Sequence, residues 1–193
     1  MTRKDKPDEM KEQTASCSEP EPEFLGMEYE RYEIIEGVRY ELQPAPTVTH
    51  QKVSGAFYIS LYQTCHSAGT ILYSPIDVYL DEDNQFQPDL VYILHENGEI
   101  IKEKRIEGAP DLVLEILSPS TGQNDKIRKK RQYERFGVKE FWIADPTHRT
   151  VDQFMLANGK FVLYETYGAA DLLTSPLFSC ISIDLSKVFP QQN

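Results

Sequence analysis

An acidic side chain inside an apolar run is costly to bury unless it is paired or binds a cation. This chain has two such positions. Pro88-Asp89 opens the run Asp89-Leu-Val-Tyr-Ile-Leu94, and Glu115 sits within Leu112-Val-Leu-Glu-Ile-Leu117. A third acid, Asp111, also follows a proline. Asp111 and Glu115 are four residues apart on one expected strand, hence ~13 Å apart at ~3.3 Å per residue. Oxygen ligands sit only ~2.0–2.6 Å from one ion. Asp111 therefore reads as a strand-entry residue. Asp89 belongs to a different strand, which can pair beside 112–117 and bring its carboxylate next to Glu115. Two close carboxylates repel unless a cation joins them, and Mg²⁺ or Mn²⁺ suits such hard oxygen ligands. The Ile116 carbonyl is a further candidate ligand. Such an ion lowers the pKa of a bound water and neutralises a phosphoryl oxygen.

A lysine beside this pair would orient the nucleophile or stabilise developing charge. The strand slot two residues after Glu115, on the same face, holds Leu117. The next helix supplies a substitute. At ~100° per residue, Asp125, Lys129, Gln132, Tyr133 and Phe136 share one face. Tyr133 and Phe136 turn that face inward, so Lys129 is the one cation of six in 125–135 directed toward the sheet. Lys126, Lys130 and Arg131 point elsewhere, as candidate contacts to phosphates or as a solvated face. Tyr133 reads either as packing with one hydrogen bond or as a site residue. Asp125 reads as a helix-start residue paired with Lys129, and His50 as a cap, a surface residue or a site residue. The serines of 118–121 have no accompanying His-Asp pattern, which excludes serine-hydrolase chemistry.

The elements that must position these groups are legible. Tyr32–Leu42 reads as a hairpin turning at Glu36-Gly37. Val48–Cys65 reads as a helix with an apolar stripe of Val53, Phe57, Leu61, Ile59 and Tyr62. Strands are expected at 70–80, 88–94 and 111–117, a helix over 125–136 stopped at Gly137, and a strand over 138–144. A second hairpin, 151–156 with 160–167, turns at Asn158-Gly159. A short strand near 181–184 and a helical turn near 185–189 follow, and a short helix is expected over 26–32. This order is a mixed α/β domain on one central sheet.

The 193 residues, 40% of them hydrophobic, are enough for one domain with a core, expected over 23–193. Residues 1–30 hold four Lys/Arg against nine Asp/Glu, and 1–22 reads as a disordered acidic tail. The net charge of −11 argues mildly against nucleic acid, but the cations concentrate in 125–135. No apolar stretch reaches the ~20 residues that cross a bilayer, and no signal peptide is evident. Cys17, Cys65 and Cys180 form neither a zinc pattern nor a disulfide framework, which points to a reducing cytoplasm.

Several stretches carry a resemblance: Tyr32–Gly37, the His50 region, Pro88-Asp89, and above all Gly108–Thr121 continuing through Asp125-x3-Lys129-x3-Tyr133 to Gly137–Pro146. Over roughly 24–190 the chain resembles the Uma2 family (domain of unknown function 820), a branch of the PD-(D/E)XK nuclease superfamily. The resemblance implies a restriction-endonuclease-like core, here with extra N-terminal and C-terminal β-hairpins. It implies a catalytic lysine moved from the strand to the following helix, as Leu117 and Lys129 suggest, and an additional acid at Glu33. Lys129-x3-Tyr133 is also similar to the Gln-x3-Tyr pair of other nucleases in the superfamily. The implied activity is metal-dependent endonucleolytic hydrolysis of nucleic acid, DNA foremost, by a possible homodimer. The alternative is a catalytically silent nucleic-acid-binding or regulatory module that keeps the fold, and a third reading is a dimeric scaffold with the tail as a partner-binding segment.

Overall fold

The computed structural model describes residues 31–42, 46–118 and 123–189, with side chains from 127 onward in the last stretch. The acidic tail 1–22 and nearly all of the helix expected at 26–32 lie outside these residues. The last residue of that expected helix, Tyr32, instead begins a strand.

The chain opens with the hairpin β1 (Tyr32–Ile35) and β2 (Val38–Glu41). Its two turn residues have positive φ, 54° at Glu36 and 76° at Gly37, the geometry of a tight hairpin turn. Asn84 Oδ1 accepts the Glu36 N–H at 3.1 Å and holds the less tolerant of the two. Helix α1 (Val48–Cys65) follows, capped by Thr47, whose side chain accepts the His50 N–H. Then come β3 (Gly69–Tyr73), β4 (Val78–Asp81), β5 (Asn84–Phe86) and β6 (Leu90–Leu94). The single strand expected over 70–80 is thus two, in different sheets, because the segment at Ser74-Pro75 redirects the chain. A 3₁₀ helix (His95–Ile100) leads to β7 (Ile106–Glu107) and β8 (Leu112–Ile116). Helix α2 (Gln123–Arg135) crosses to β9 (Glu140–Asp145), and the hairpin β10 (Thr150–Ala157) and β11 (Lys160–Gly168) follows. Asn158 and Gly159 make its turn at positive φ. The chain closes with β12 (Leu172–Thr174) and β13 (Ser182–Asp184).

Among the described residues the strands form the expected helix-flanked sheet and two smaller ones. The six-stranded sheet runs β11-β10-β9-β8-β6-β3, the five-stranded sheet runs β2-β1-β5-β4-β7, and β12-β13 pair alone. In the large sheet only β8 and β9 are parallel. Parallel neighbours need a crossover, and α2 is that crossover.

Side chains alternate across β6 and β8, and both faces of the large sheet are covered. Leu90, Tyr92, Leu112, Leu114 and Ile116 face α1 and the C-terminal segment, where Val53, Phe57, Leu61, Phe178 and Phe189 complete a core. Val91, Ile93 and Val113 face the five-stranded sheet and α2, in a core with Ile35, Phe86, Tyr133 and Phe141. On α1, Val53, Phe57 and Leu61 are buried as expected, but Ile59 and Tyr62 are 56% and 51% exposed. Their spacing places them one helical step outside the sheet-facing stripe. The cysteine expectation also changes. Cys65, at the end of α1, is disulfide-bonded to Cys180 in the C-terminal segment, a pairing across 115 residues that spacing alone did not disclose.

Candidate active site

The register of β6 and β8 aligns Leu90 with Leu114 and Val91 with Val113. One step further along the same antiparallel pair, Asp89 stands opposite Glu115. Glu115 points to the α2 face by alternation, and Asp89, one residue ahead of β6, stands at the end of the sheet between β8 and the start of α1. Asp89 Oδ2 accepts the Ile116 N–H at 2.7 Å, and its Oδ1 lies 3.1 Å from His50 Nε2. The carboxylate is thereby fixed from β8 on one side and from α1 on the other.

Glu115 receives two groups from α2. The Tyr133 hydroxyl donates to Oε1 at 2.8 Å, and Lys129 Nζ lies 3.4 Å from the same atom. Lys129 Nζ is closer still to Glu33 Oε1, at 2.7 Å. Glu33 is 1% exposed, and the Gln87 N–H donates to the same Oε1. Four elements (β1, β6, β8 and α2) therefore deliver Glu33, Asp89, Glu115 and Lys129 to one place. Tyr133 is fully buried between Phe86 and Phe141, so it is both a packing residue and a hydrogen-bond donor to Glu115.

The electrostatics follow from this crowding. Burial raises the Glu115 carboxyl to about 8. The Lys129 ammonium and the Tyr133 hydroxyl oppose that rise, while the charges of Asp89 and Glu33 add to it. Burial, reinforced by Glu115, also pushes the Tyr133 hydroxyl well above its ordinary value. A carboxyl held up in this way is stabilised as an anion by an added cation. Among the described residues, no three or more His, Cys, Asp or Glu side chains are arranged as a metal cage. The donors present are two opposed carboxylates, each still partly open to solvent with side chains 16% and 12% exposed. That set fits Mg²⁺ or Mn²⁺: Mg²⁺ characteristically keeps several waters and takes one or two protein carboxylates.

The other candidates separate. Asp111 lies at the opposite end of β8, where Oδ2 accepts the Leu94 N–H and Oδ1 pairs with Lys139 at 2.7 Å. Lys130 is half-buried, its Nζ 3.4 Å from the Phe154 ring centroid, and burial lowers its pKa. Arg131 is exposed and lines a cavity of about 690 Å³ with Glu36, Gln132, Glu134 and Lys160. The side chains of Lys126 and Asp125 lie outside the described residues. His50 was open between cap and site in sequence; Thr47 takes the cap, and His50 reaches Asp89. The available signal was its place three residues before Val53, at the head of the buried stripe 53, 57, 61. A buried glutamate that sequence reasoning passed over, Glu140, is held by neutral donors. The Trp142 indole N–H, the Gln153 amide and the Ser175 hydroxyl all donate to it.

The Uma2 family model, described as "Putative restriction endonuclease", matches residues 22–186. A solved structure from Anabaena variabilis, a "putative nuclease belonging to DUF820", superposes with a TM-score of 0.68 at 19% identity, covering 82% of this chain and 89% of that one. At that identity the likeness speaks for the fold, which is restriction-endonuclease-like. No curated protein matches the chain.

Proposed function

Because the chain belongs to the Uma2 family, we propose that it is a Mg²⁺- or Mn²⁺-dependent endonuclease that hydrolyses phosphodiester bonds of nucleic acid, DNA foremost. The observation that carries this reading is Asp89, at the entry to β6, bonded to the Ile116 N–H next to Glu115 on β8, with Lys129 reaching Glu115 from α2. Asp89, Glu115 and the Ile116 carbonyl would hold the ion. When bound, it supplies an acidified water and neutralises charge on the phosphate.

The protein's own residues do the rest. The Ile116 N–H and His50 keep the Asp89 carboxylate in one orientation. Tyr133 keeps the Glu115 carboxylate in place by donating to Oε1. Glu33 anchors the Lys129 ammonium beside the carboxylate pair, where it orients the attacking water and offsets charge on the phosphoryl oxygens. Arg131, exposed on α2, contacts the flanking backbone phosphates. Lys130, half-buried over Phe154 in the same cleft, is the weaker candidate for such a contact.

The test is cleavage of supercoiled plasmid and of single-stranded oligonucleotides with Mg²⁺, with Mn²⁺ and with EDTA, using Asp89→Asn as the control. Cutting that needs the ion and vanishes in the control is expected. Cutting that persists in EDTA, or in Asp89→Asn, overturns the assignment. Metal-independent binding without cutting would instead favour the silent module, a reading that the net charge of −11 slightly favours and the intact set of Asp89, Glu115 and Lys129 opposes.

A further inference from the structure

A second cation is tied to the candidate site, brought by the entry to β1 rather than by α2. Arg31 lies one residue ahead of β1 and two ahead of Glu33, and its carbonyl accepts the Leu42 N–H at 2.9 Å, which fixes its backbone to the hairpin. Its side chain is pinned to the two segments that carry Asp89. Nε donates to Gln87 Oε1 at 3.1 Å, and Nη2 donates to the Ser74 hydroxyl at 3.4 Å. Gln87, two residues before Asp89, gives its own N–H to Glu33 Oε1 at 2.9 Å. The Ser74 N–H donates to the Asp89 carbonyl at 3.0 Å. Each acceptor of Arg31 is therefore itself bonded to an acid of the site.

Both acceptors are neutral, so neither compensates the fixed positive charge of the guanidinium. An acid does join the network, but one group further on. Gln87 Nε2 donates to Asp77 Oδ1 at 2.9 Å, which places an amide between Asp77 and Arg31. Lys129, by contrast, is engaged by two carboxylates, Glu33 at 2.7 Å and Glu115 at 3.4 Å. Arg31 is only half-buried, and its two side-chain bonds draw on two of the five N–H groups that a guanidinium carries. The balance of charge has the same sense. With a divalent ion bound, Lys129 and the ion cancel the carboxylates of Glu33, Asp89 and Glu115, and Arg31 is the surplus charge that an incoming phosphodiester would meet.

We infer that Arg31 is a phosphate-binding residue of this site, taking the non-bridging oxygens of a backbone phosphate of the strand held beside Asp89. The inference rests on the nucleic-acid reading above and adds a residue that grips the strand from β1 while Lys129 acts from α2. A planar guanidinium held by hydrogen bonds at Nε and Nη2 has a fixed orientation, which suits paired N–H bonds to two phosphate oxygens. A contact of this kind positions the backbone and reads no base, so it serves a strand of any sequence.

The experiment measures binding of a fluorescein-labelled oligonucleotide duplex to the full chain by anisotropy, in Ca²⁺ and over a series of salt concentrations. Mn²⁺ affinity is measured by calorimetry on the same proteins without nucleic acid. Arg31→Gln is expected to bind the duplex about ten- to a hundredfold more weakly, the scale of a hydrogen-bonded charge. Its slope of log affinity against log salt should be shallower by about one, with Mn²⁺ affinity as in wild type. Arg31→Lys is expected to keep the wild-type slope and recover only part of the affinity, because an ammonium cannot form the paired bonds. Duplex affinity and slope unchanged in Arg31→Gln overturn the inference. A matching fall in Mn²⁺ affinity also overturns it, and makes Arg31 a brace for Asp89 instead. If Arg31→Gln loses its fold by circular dichroism, Arg31→Lys decides, and wild-type affinity in that variant overturns the inference. A wild type that binds the duplex but never cuts it refutes the endonuclease reading and leaves this one standing; a wild type that does not bind it refutes this one.

Discussion

Glu115 and Glu140 stand on neighbouring parallel strands of one sheet, and burial raises the pKa of both. Their surroundings differ in kind. Glu140 faces the α1 side with three neutral donors and is saturated by the chain itself. Glu115 faces the α2 side among Lys129, Asp89 and Glu33, and one edge of it stays open to solvent. A buried carboxylate completed by neutral donors is a structural device. One surrounded by other charges and left accessible is held ready for something the chain does not supply.

The largest expected contrast is in chemistry. Glu115→Gln should reduce metal-dependent cleavage to the EDTA background while leaving the melting temperature unchanged or slightly raised, since one of two close like charges is gone. Glu140→Gln should cut at the wild-type rate at a permissive temperature. Equal loss in both variants would dissolve the distinction between the two glutamates. Next in size is Lys129→Ala, expected to lose about two to four orders of magnitude in the single-turnover rate, the scale of a preorganised electrostatic group. Lys130→Ala should leave that rate near wild type and lose only ~0.5–1 kcal/mol of stability with its contact to Phe154. Matching rate losses would make the basic helix a general phosphate patch.

A third prediction inverts the comparison. Glu140→Ala removes the acceptor shared by three buried side chains, each group left unsatisfied costing ~1–3 kcal/mol, so urea unfolding should shift to clearly lower midpoints. Glu115→Ala should shift it less, because Lys129 retains Glu33. The smallest expected effect is in pH. Glu115 goes from about 4.5 in the unfolded chain to about 8 in the fold, so between those values the native state holds more protons than the unfolded state. Its contribution to stability is therefore complete below about 4.5 and is lost as pH rises through about 8. Glu140 adds a decline of the same sign, also caused by burial. Saturating Mg²⁺ or Glu115→Gln should flatten the Glu115 part and leave the Glu140 part. Melting temperatures from pH 5 to 8.5, with and without Mg²⁺, decide it. A slope indifferent to both treatments would remove Glu115 as its source.

The sequence was informative wherever chemistry is local. The rise along one strand was enough to set Asp111 apart from Glu115, and the pairing of two apolar strands to bring Asp89 beside it. The 3.6-residue period was enough to turn Lys129 and Tyr133 inward together. Glu36-Gly37 and Asn158-Gly159 announced their turns, because few residues accept positive φ. Helix α2 started two residues early and β9 two residues late, ordinary fraying at element ends.

What only the tertiary structure decided are the meetings of residues distant in sequence. Glu33 under Lys129, His50 against Asp89, Cys65 bonded to Cys180, and Glu140 closed by Ser175 each join segments whose own patterns do not name their partner. The same holds for Ile59 and Tyr62, apolar and helically spaced, yet left outside because the sheet beneath α1 spans only one stripe of it. Period, turn chemistry and charge act over a few residues and are written in the order of the chain. Which strand lies beside which, and which face it covers, depends on how all the elements pack at once, and no local stretch of sequence carries that information.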